Sequence, residues 1–230
     1  MVQRGKNRVK LAVRARAARV PAPARVPAPA PEDTRAQLIR AARDLFLEGG
    51  VANFSLREVA RRVGVSAAAV YRHFDGKEAL VAAACTQGFE VFSSYLVRAL
   101  RAPSPLTRLL ATGDQYRLFA LENPLDYRFI FMSSAEELGH ASPPDPKRTS
   151  TEALTEDATF RFLVDRVREC IDAGILAQDS PEKLAVLIWA HVHGLASLRL
   201  SGHLRQVGDE AVFAALYRES VERLLAGMAP

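Results

Sequence analysis

Between Ser55 and Lys77 the chain gathers side chains that suit contact with a polyanion: Arg57, Arg61, Arg62, Tyr71, Arg72, His73 and Lys77, with hydroxyls at Ser55 and Ser66. Guanidinium and ammonium groups neutralise phosphate, and hydroxyls or amides at helix starts bond its oxygens. That is recognition chemistry, not bond-making chemistry. His73 has no carboxylate or nucleophile at a telling spacing. His191 and His193 stand two residues apart, on different faces of a helix, which makes a poor chelating pair. His140 and His203 fall in loop-like segments. Cys85 and Cys170 lack any CxxC or Cys–His spacing; buried free thiols are the expectation and redox sensing the alternative. Paired carboxylates and a Gly-rich phosphate loop are missing, which argues against an enzyme. No metal site and no cofactor are expected.

The elements that must position these groups are written locally. Ser55 followed by Glu58 has the spacing of a capping box, and Leu56, Val59, Ala60 and Val63 give the next helix one apolar face. Gly64 permits the left-handed stop, Val65 plugs the turn, and Ser66 caps a second helix through His73. A sharp turn, mutually packed faces and a cationic exterior are what a helix-turn-helix needs to enter the major groove. The motif spans 55–74.

Apolar residues make up 49% of the 230, and aromatics only 7%, with no period-two alternation, so the expectation is all-α, about nine helices. The net charge of +5 is unevenly spread: of 31 Lys and Arg, eight fall in residues 1–31, which hold no Asp or Glu. The other 23 face all 26 acidic residues in the rest of the chain. Residues 1–31 therefore read as a disordered basic arm with a Pro/Ala spacer, residues 32–78 as a DNA-binding head, and 79–230 as a second helical domain. Secretory and organelle signals are not expected. The longest charge-free run, Leu184 to Leu198, is too short and too polar to span a bilayer, so no membrane partner is expected.

Further helices are expected from near Pro31 to Gly49-Gly50, over Lys77 to Leu100, Leu106 to Leu121 and Leu125 to Met132, then about 25 residues ending at Gly174. Two more run from Pro181 to Leu200 and from Asp209 to Ala226, and residues 139–147 read as a loop.

From Thr34 to Glu90 the pattern resembles TetR-family transcriptional regulators. It is carried by Gly49-Gly50, Ser55 to Ala60, Gly64-Val65-Ser66, Tyr71-Arg72-His73-Phe74 and Lys77 to Leu80. Asn123-Pro124, Tyr127-Arg128, Trp189 and His193-Gly194 resemble the WHG-type C-terminal domain of one TetR subgroup. The resemblance implies a cytoplasmic homodimer with double-stranded DNA and a small-molecule effector as partners, in most members a repressor released from a palindromic operator. In that arrangement Ser66 to His73 is the recognition helix, with Ala67, Ala68 and Ala69 nearest the base edges. Alanine offers only methyl contact, so specificity leans on Ser66, Arg72, Arg57 and DNA shape. Arg72 reads guanine or contacts phosphate. Tyr71, His73 and Lys77 match the family's backbone contacts, and Ser55 adds a hydroxyl.

Phe89, Phe92, Tyr116, Phe119, Phe131, Phe160, Trp189 and His193 are the effector-pocket candidates, pointing to an apolar or aromatic effector. For His193, packing against the Trp189 indole is the competing reading. The 181–200 helix is apolar all round and must be covered on every side. Leu184, Leu187, Ile188, Leu195 and Leu198, with Val212, Leu216, Val221 and Leu224 of the last helix, are expected at a self-complementary dimer seam, core packing being the alternative. Two rival functions stay open: a constitutive architectural DNA binder driven by the arm, and an enzyme on a helical scaffold.

Overall fold

The computed structural model describes residues 33–134, 138 and 157–230, apart from the side chains of 51–53. The basic arm, the 139–147 loop and the start of the expected 25-residue helix lie outside the described residues. Asp33–Pro230 forms one compact unit. Among the described residues there are nine α-helices, two 3-10 turns and no strand.

Helix α1 (Thr34–Asn53) is interrupted at Gly50, whose φ of 66° breaks the helical path where Gly49-Gly50 led one to expect an end. Helices α2 (Leu56–Val63) and α3 (Ala67–Tyr71) form the motif. Ser55 accepts from the Glu58 amide at 3.2 Å, but the return half of the capping box is not made. Glu58 instead takes an ion pair from Arg61, and a charged partner three residues on competes well with a neutral amide. Gly64 adopts φ 78°, and Val65 N–H closes back on the Ala60 carbonyl at 3.0 Å. Ser66 caps α3 by accepting from Ala69 N–H at 3.2 Å. Leu38, Val59 and Val70, each 0% exposed, lie in the core shared by α1, α2 and α3. Burying such a side chain contributes about 1.5–3 kcal/mol.

Helix α4 (Lys77–Leu96) ends in a 3-10 turn (Val97–Arg101), four residues earlier than its pattern implied. Lys77–Arg101 is long and apolar enough to cross a membrane by length and composition. Here its apolar face packs on α1, α5 (Pro105–Glu122) and α6 (Pro124–Met132). Helices α7 (Ala158–Asp172), α8 (Pro181–Leu200) and α9 (Glu210–Ala226) complete the bundle.

The faces of α8 and α9 divide differently from the seam expected. Leu184, Ile188 and Val221 are 3–5% exposed and belong to the protomer's own core. An expected interface that included them is corrected on this point, since a side chain already enclosed has little surface left to bury. Leu187, Leu198, Val212 and Leu216 stay 38–50% exposed, with Leu195 and Leu224 half-buried beside them.

Candidate nucleic-acid interface and ligand cavity

The motif sorts its cations into two groups. Arg61 pairs with Glu58, and Arg62 makes a two-pronged bond to Glu48 at 2.7 and 2.9 Å. Hydrogen bonds from the arginines hold both carboxyls below the usual range, and the same bonds raise the arginines. These pairs brace the outside of the head. Arg57 and Arg72 are exposed and have no acidic partner among the described residues.

Ser55, Arg57, Ser66, Ala68, Tyr71, Arg72 and His73 are exposed, and Ala67 is half-buried. Tyr71 leaves 61% of its surface in solvent, unusual for a large ring with nothing to cover it. Ala69 is corrected: at 6% exposure it packs inward beside Val70 and cannot reach a base edge. Helix α3 ends at Tyr71, so Arg72 is its C-cap and His73 lies in the following turn. Lys77 is half-buried, with its ammonium 5.4 Å from the centre of the Phe54 ring.

Behind the head, α4, α5, α6, α7 and α8 line a cavity of about 170 Å³. Phe89, Phe92, Tyr116, Phe131, Phe160 and Trp189 line it. Two expected wall residues do not. Phe119 is fully buried behind Phe92 and Tyr95, with ring centroids 4.9 and 5.7 Å away. His193 sits one layer back, its Nδ1 2.9 Å from the Tyr116 hydroxyl and 3.0 Å from that of Tyr127. Its ring stacks on Tyr127 at 5.6 Å and meets Trp189 edge-on at 6.1 Å. Burial lowers the His193 pKa, favouring the neutral ring. With the proton on Nε2, which faces Ser197 Oγ at 3.3 Å, Nδ1 accepts from a tyrosine. Burial likewise pushes the phenols of Tyr116 and Tyr127 up, so they act as donors and not as charges.

Sequence patterns missed the wall residues that are not aromatic, Thr112, Ile130, Asp157 and Ile188 among them. Ile188 had been placed on the dimer face. Its i, i+4 step to Val192, also on the wall, is the signal that groups them. Cys85 and Cys170 are buried thiols pushed up to about 11 by desolvation, which keeps them protonated and unreactive. Among the described residues no three metal-ligating side chains converge.

One helix touches both regions. Asp126 of α6 receives a hydrogen bond from Arg43 of α1, and Phe129 meets Phe46 edge-on at 5.1 Å. The next residues on α6, Ile130 and Phe131, are cavity wall. A helix-turn-helix head tied by packed helices to a bundle with an aromatic-lined cavity defines the class of helix-turn-helix DNA-binding regulators.

Comparison with known proteins gives the family. Residues 38–84 match the profile described as bacterial regulatory proteins, tetR family, and residues 109–224 match the tetracyclin repressor-like C-terminal domain. The chain belongs to the TetR family of helix-turn-helix transcriptional regulators. It is 24% identical over 200 residues to the HTH-type transcriptional regulator Rv1816 of Mycobacterium tuberculosis, covering 75% of this chain and 83% of that one. Over 150 residues it is 29% identical to the class A tetracycline repressor protein from transposon 1721 of Escherichia coli, covering 65% and 60%. A solved structure of a Rhodococcus sp. RHA1 protein of unknown function is 25% identical, with a TM-score of 0.65 over 87% of this chain and 98% of that one.

Proposed function

We propose that the protein is a cytoplasmic, dimeric transcriptional repressor that binds a palindromic operator and is released from it by a small apolar or aromatic effector. Each head presents α3 to the major groove. Ala67 and Ala68 supply methyl contacts, Arg57 and Arg72 the base or phosphate contacts, and Ser55, Ser66, Tyr71, His73 and Lys77 the backbone contacts. The exposed Leu187, Leu198, Val212 and Leu216, flanked by Leu195 and Leu224, form the seam with a second copy.

The observation that carries the reading is the position of α6. Its Asp126 and Phe129 hold α1 of the head, while its Ile130 and Phe131 wall the cavity. An effector that displaces Ile130 or Phe131 must move the same helix that anchors the head, and packed helices shift as bodies. Two heads held at one spacing by the seam fit two half-sites; a shift of either loses the match.

Removing residues 1–31 tests the reading against the architectural alternative. The shortened protein should keep its preference for operator over random DNA and lose mainly non-specific, salt-sensitive affinity. Discrimination that disappears with the arm would make the arm, not the motif, the reader of DNA. Repression itself is checked by operator-controlled transcription in vitro, where added protein should lower transcript yield; a rise would make it an activator.

A further inference from the structure

We propose that the cavity selects a small organic cation, an aryl-alkyl ammonium whose ring lies among Phe92, Phe131 and Trp189 and whose charge is met by Asp157. This rests on the cavity being the effector site and narrows its ligand. Size sets the first limit: about 170 Å³ is close to the roughly 150 Å³ cavity that holds benzene in another protein. One ring and a short arm fit.

Hydrogen-bond accounting sets the second limit. Thr112, only 4% exposed, donates its hydroxyl proton to the Arg108 carbonyl at 2.8 Å, leaving oxygen lone pairs for a ligand. Thr159 donates its hydroxyl proton to Asp157 Oδ1. The Tyr116 hydroxyl is turned to a protein partner as well, 2.9 Å from His193 Nδ1. The hydroxyl donors of Thr112 and Thr159 are thus committed to protein partners, and both offer acceptor oxygens to an occupant. The start of α7 is closed to anions in the same way, because Asp157 Oδ1 already takes the Thr159 and Phe160 amides at 2.7 and 3.2 Å.

Charge sets the third. The described wall has no Lys, Arg or His, and Asp157 is its one carboxylate. A carboxylate or phosphate effector would face that charge with no cation on the described wall to offset it. A neutral hydrocarbon would fill the space and leave the acceptors unmet. A cation satisfies both, and six aromatic side chains line the same space.

Trp189 is the chain's single tryptophan, so its emission reports directly on the cavity. The full-length protein is titrated at neutral pH with three probes of similar size: phenethylammonium, propylbenzene (methyl in place of ammonium) and phenylacetate. Phenethylammonium should bind about tenfold more tightly than propylbenzene, and phenylacetate should leave the emission unchanged. Asp157→Asn keeps a capping oxygen for α7 and should erase the cation's advantage without altering propylbenzene binding. The proposal is overturned if propylbenzene or phenylacetate binds as tightly as the cation, if Asp157→Asn preserves the preference, or if no probe moves the emission. The same probes are added to the operator complex. Release by propylbenzene alone would keep the effector reading and sink the cation. Tight binding of phenethylammonium without release would do the reverse.

Discussion

Gly88 and Gly113 both stand inside helices, on α4 and α5, yet alanine at the two positions should act in opposite directions. In a helix interior the exchange favours folding by about 1 kcal/mol, because glycine loses more backbone freedom on ordering. At Gly113 a new methyl would lie 3.9 Å from Val192 Cγ1 and 4.0 Å from Tyr217 Cε1, which is ordinary contact. At Gly88 it would lie 2.7 Å from Ile130 Cγ2. That atom sits on the branched carbon of a β-branched side chain only 7% exposed, so relief requires Ile130 to leave its preferred helical rotamer or α6 to shift. Overpacking of this kind costs about 1–3 kcal/mol, leaving Gly88→Ala about 1 kcal/mol less stable than the parent. For a folded unit of this size, 1 kcal/mol moves Tm by about 3 °C. Gly113→Ala should therefore melt about 3 °C higher and Gly88→Ala about 3 °C lower by calorimetry.

The Gly88 variant also probes the route to DNA. The overlap is relieved if α6 moves away from α4, the displacement an effector is proposed to cause. Strain of about 1.4 kcal/mol released that way shifts the balance toward the released form by about tenfold. Fluorescence anisotropy with labelled operator and no ligand should show that weakening for Gly88→Ala and none for Gly113→Ala. If both variants gain stability, the close approach of α4 and α6 is wrong. If Gly88→Ala is destabilised but binds operator normally, α6 does not couple cavity to head.

Three further outcomes follow from the geometry. Arg72→Ala should lose about 1–3 kcal/mol of preference at one base position if the guanidinium reads guanine; a uniform loss across sequences in a binding-site selection assigns it to phosphate. Burial holds the His193 pKa below the ordinary imidazole value of 6.5, so the unfolded chain takes up its proton first as pH falls. Stability from this group is complete above about 6.5 and declines below it, down to the lowered folded value; Tm against pH should fall less steeply in His193→Gln, and an unchanged slope refutes the assignment. Leu187→Glu places a charge on a side chain 47% exposed at the proposed seam and should yield monomers in sedimentation velocity; a persistent dimer moves the interface elsewhere.

What could be read from the sequence was mostly what is local. Ser55, Gly64 and Ser66 act on backbone within four residues, so the turn and both motif helices were legible, as were the proline-started α5, α6 and α8. Choosing aromatics on the helices expected behind the head named six of the side chains that line the cavity, Phe89, Phe92 and Phe131 among them. Periodicity was of less use on the last helices. It could not say which side of an all-apolar helix meets its own chain. Leu184 and Leu187 look alike in sequence; only the packing of α8 makes one core and leaves the other bare. Long-range pairs were equally hidden. Nothing near Arg62 announces Glu48, fourteen residues away, and nothing near Arg43 announces Asp126. Asp157 was missed because the expected 25-residue helix ran through it, whereas it is the cap at which α7 starts, beside the cavity.

The most direct measurement is selection of duplexes from a random pool by the full-length protein, followed by competition at moderate salt. The account predicts enrichment of an inverted repeat with half-site centres about one or two helical turns apart, bound by a dimer and preferred over its scrambled counterpart. Recovery of no sequence that outcompetes scrambled DNA would contradict it.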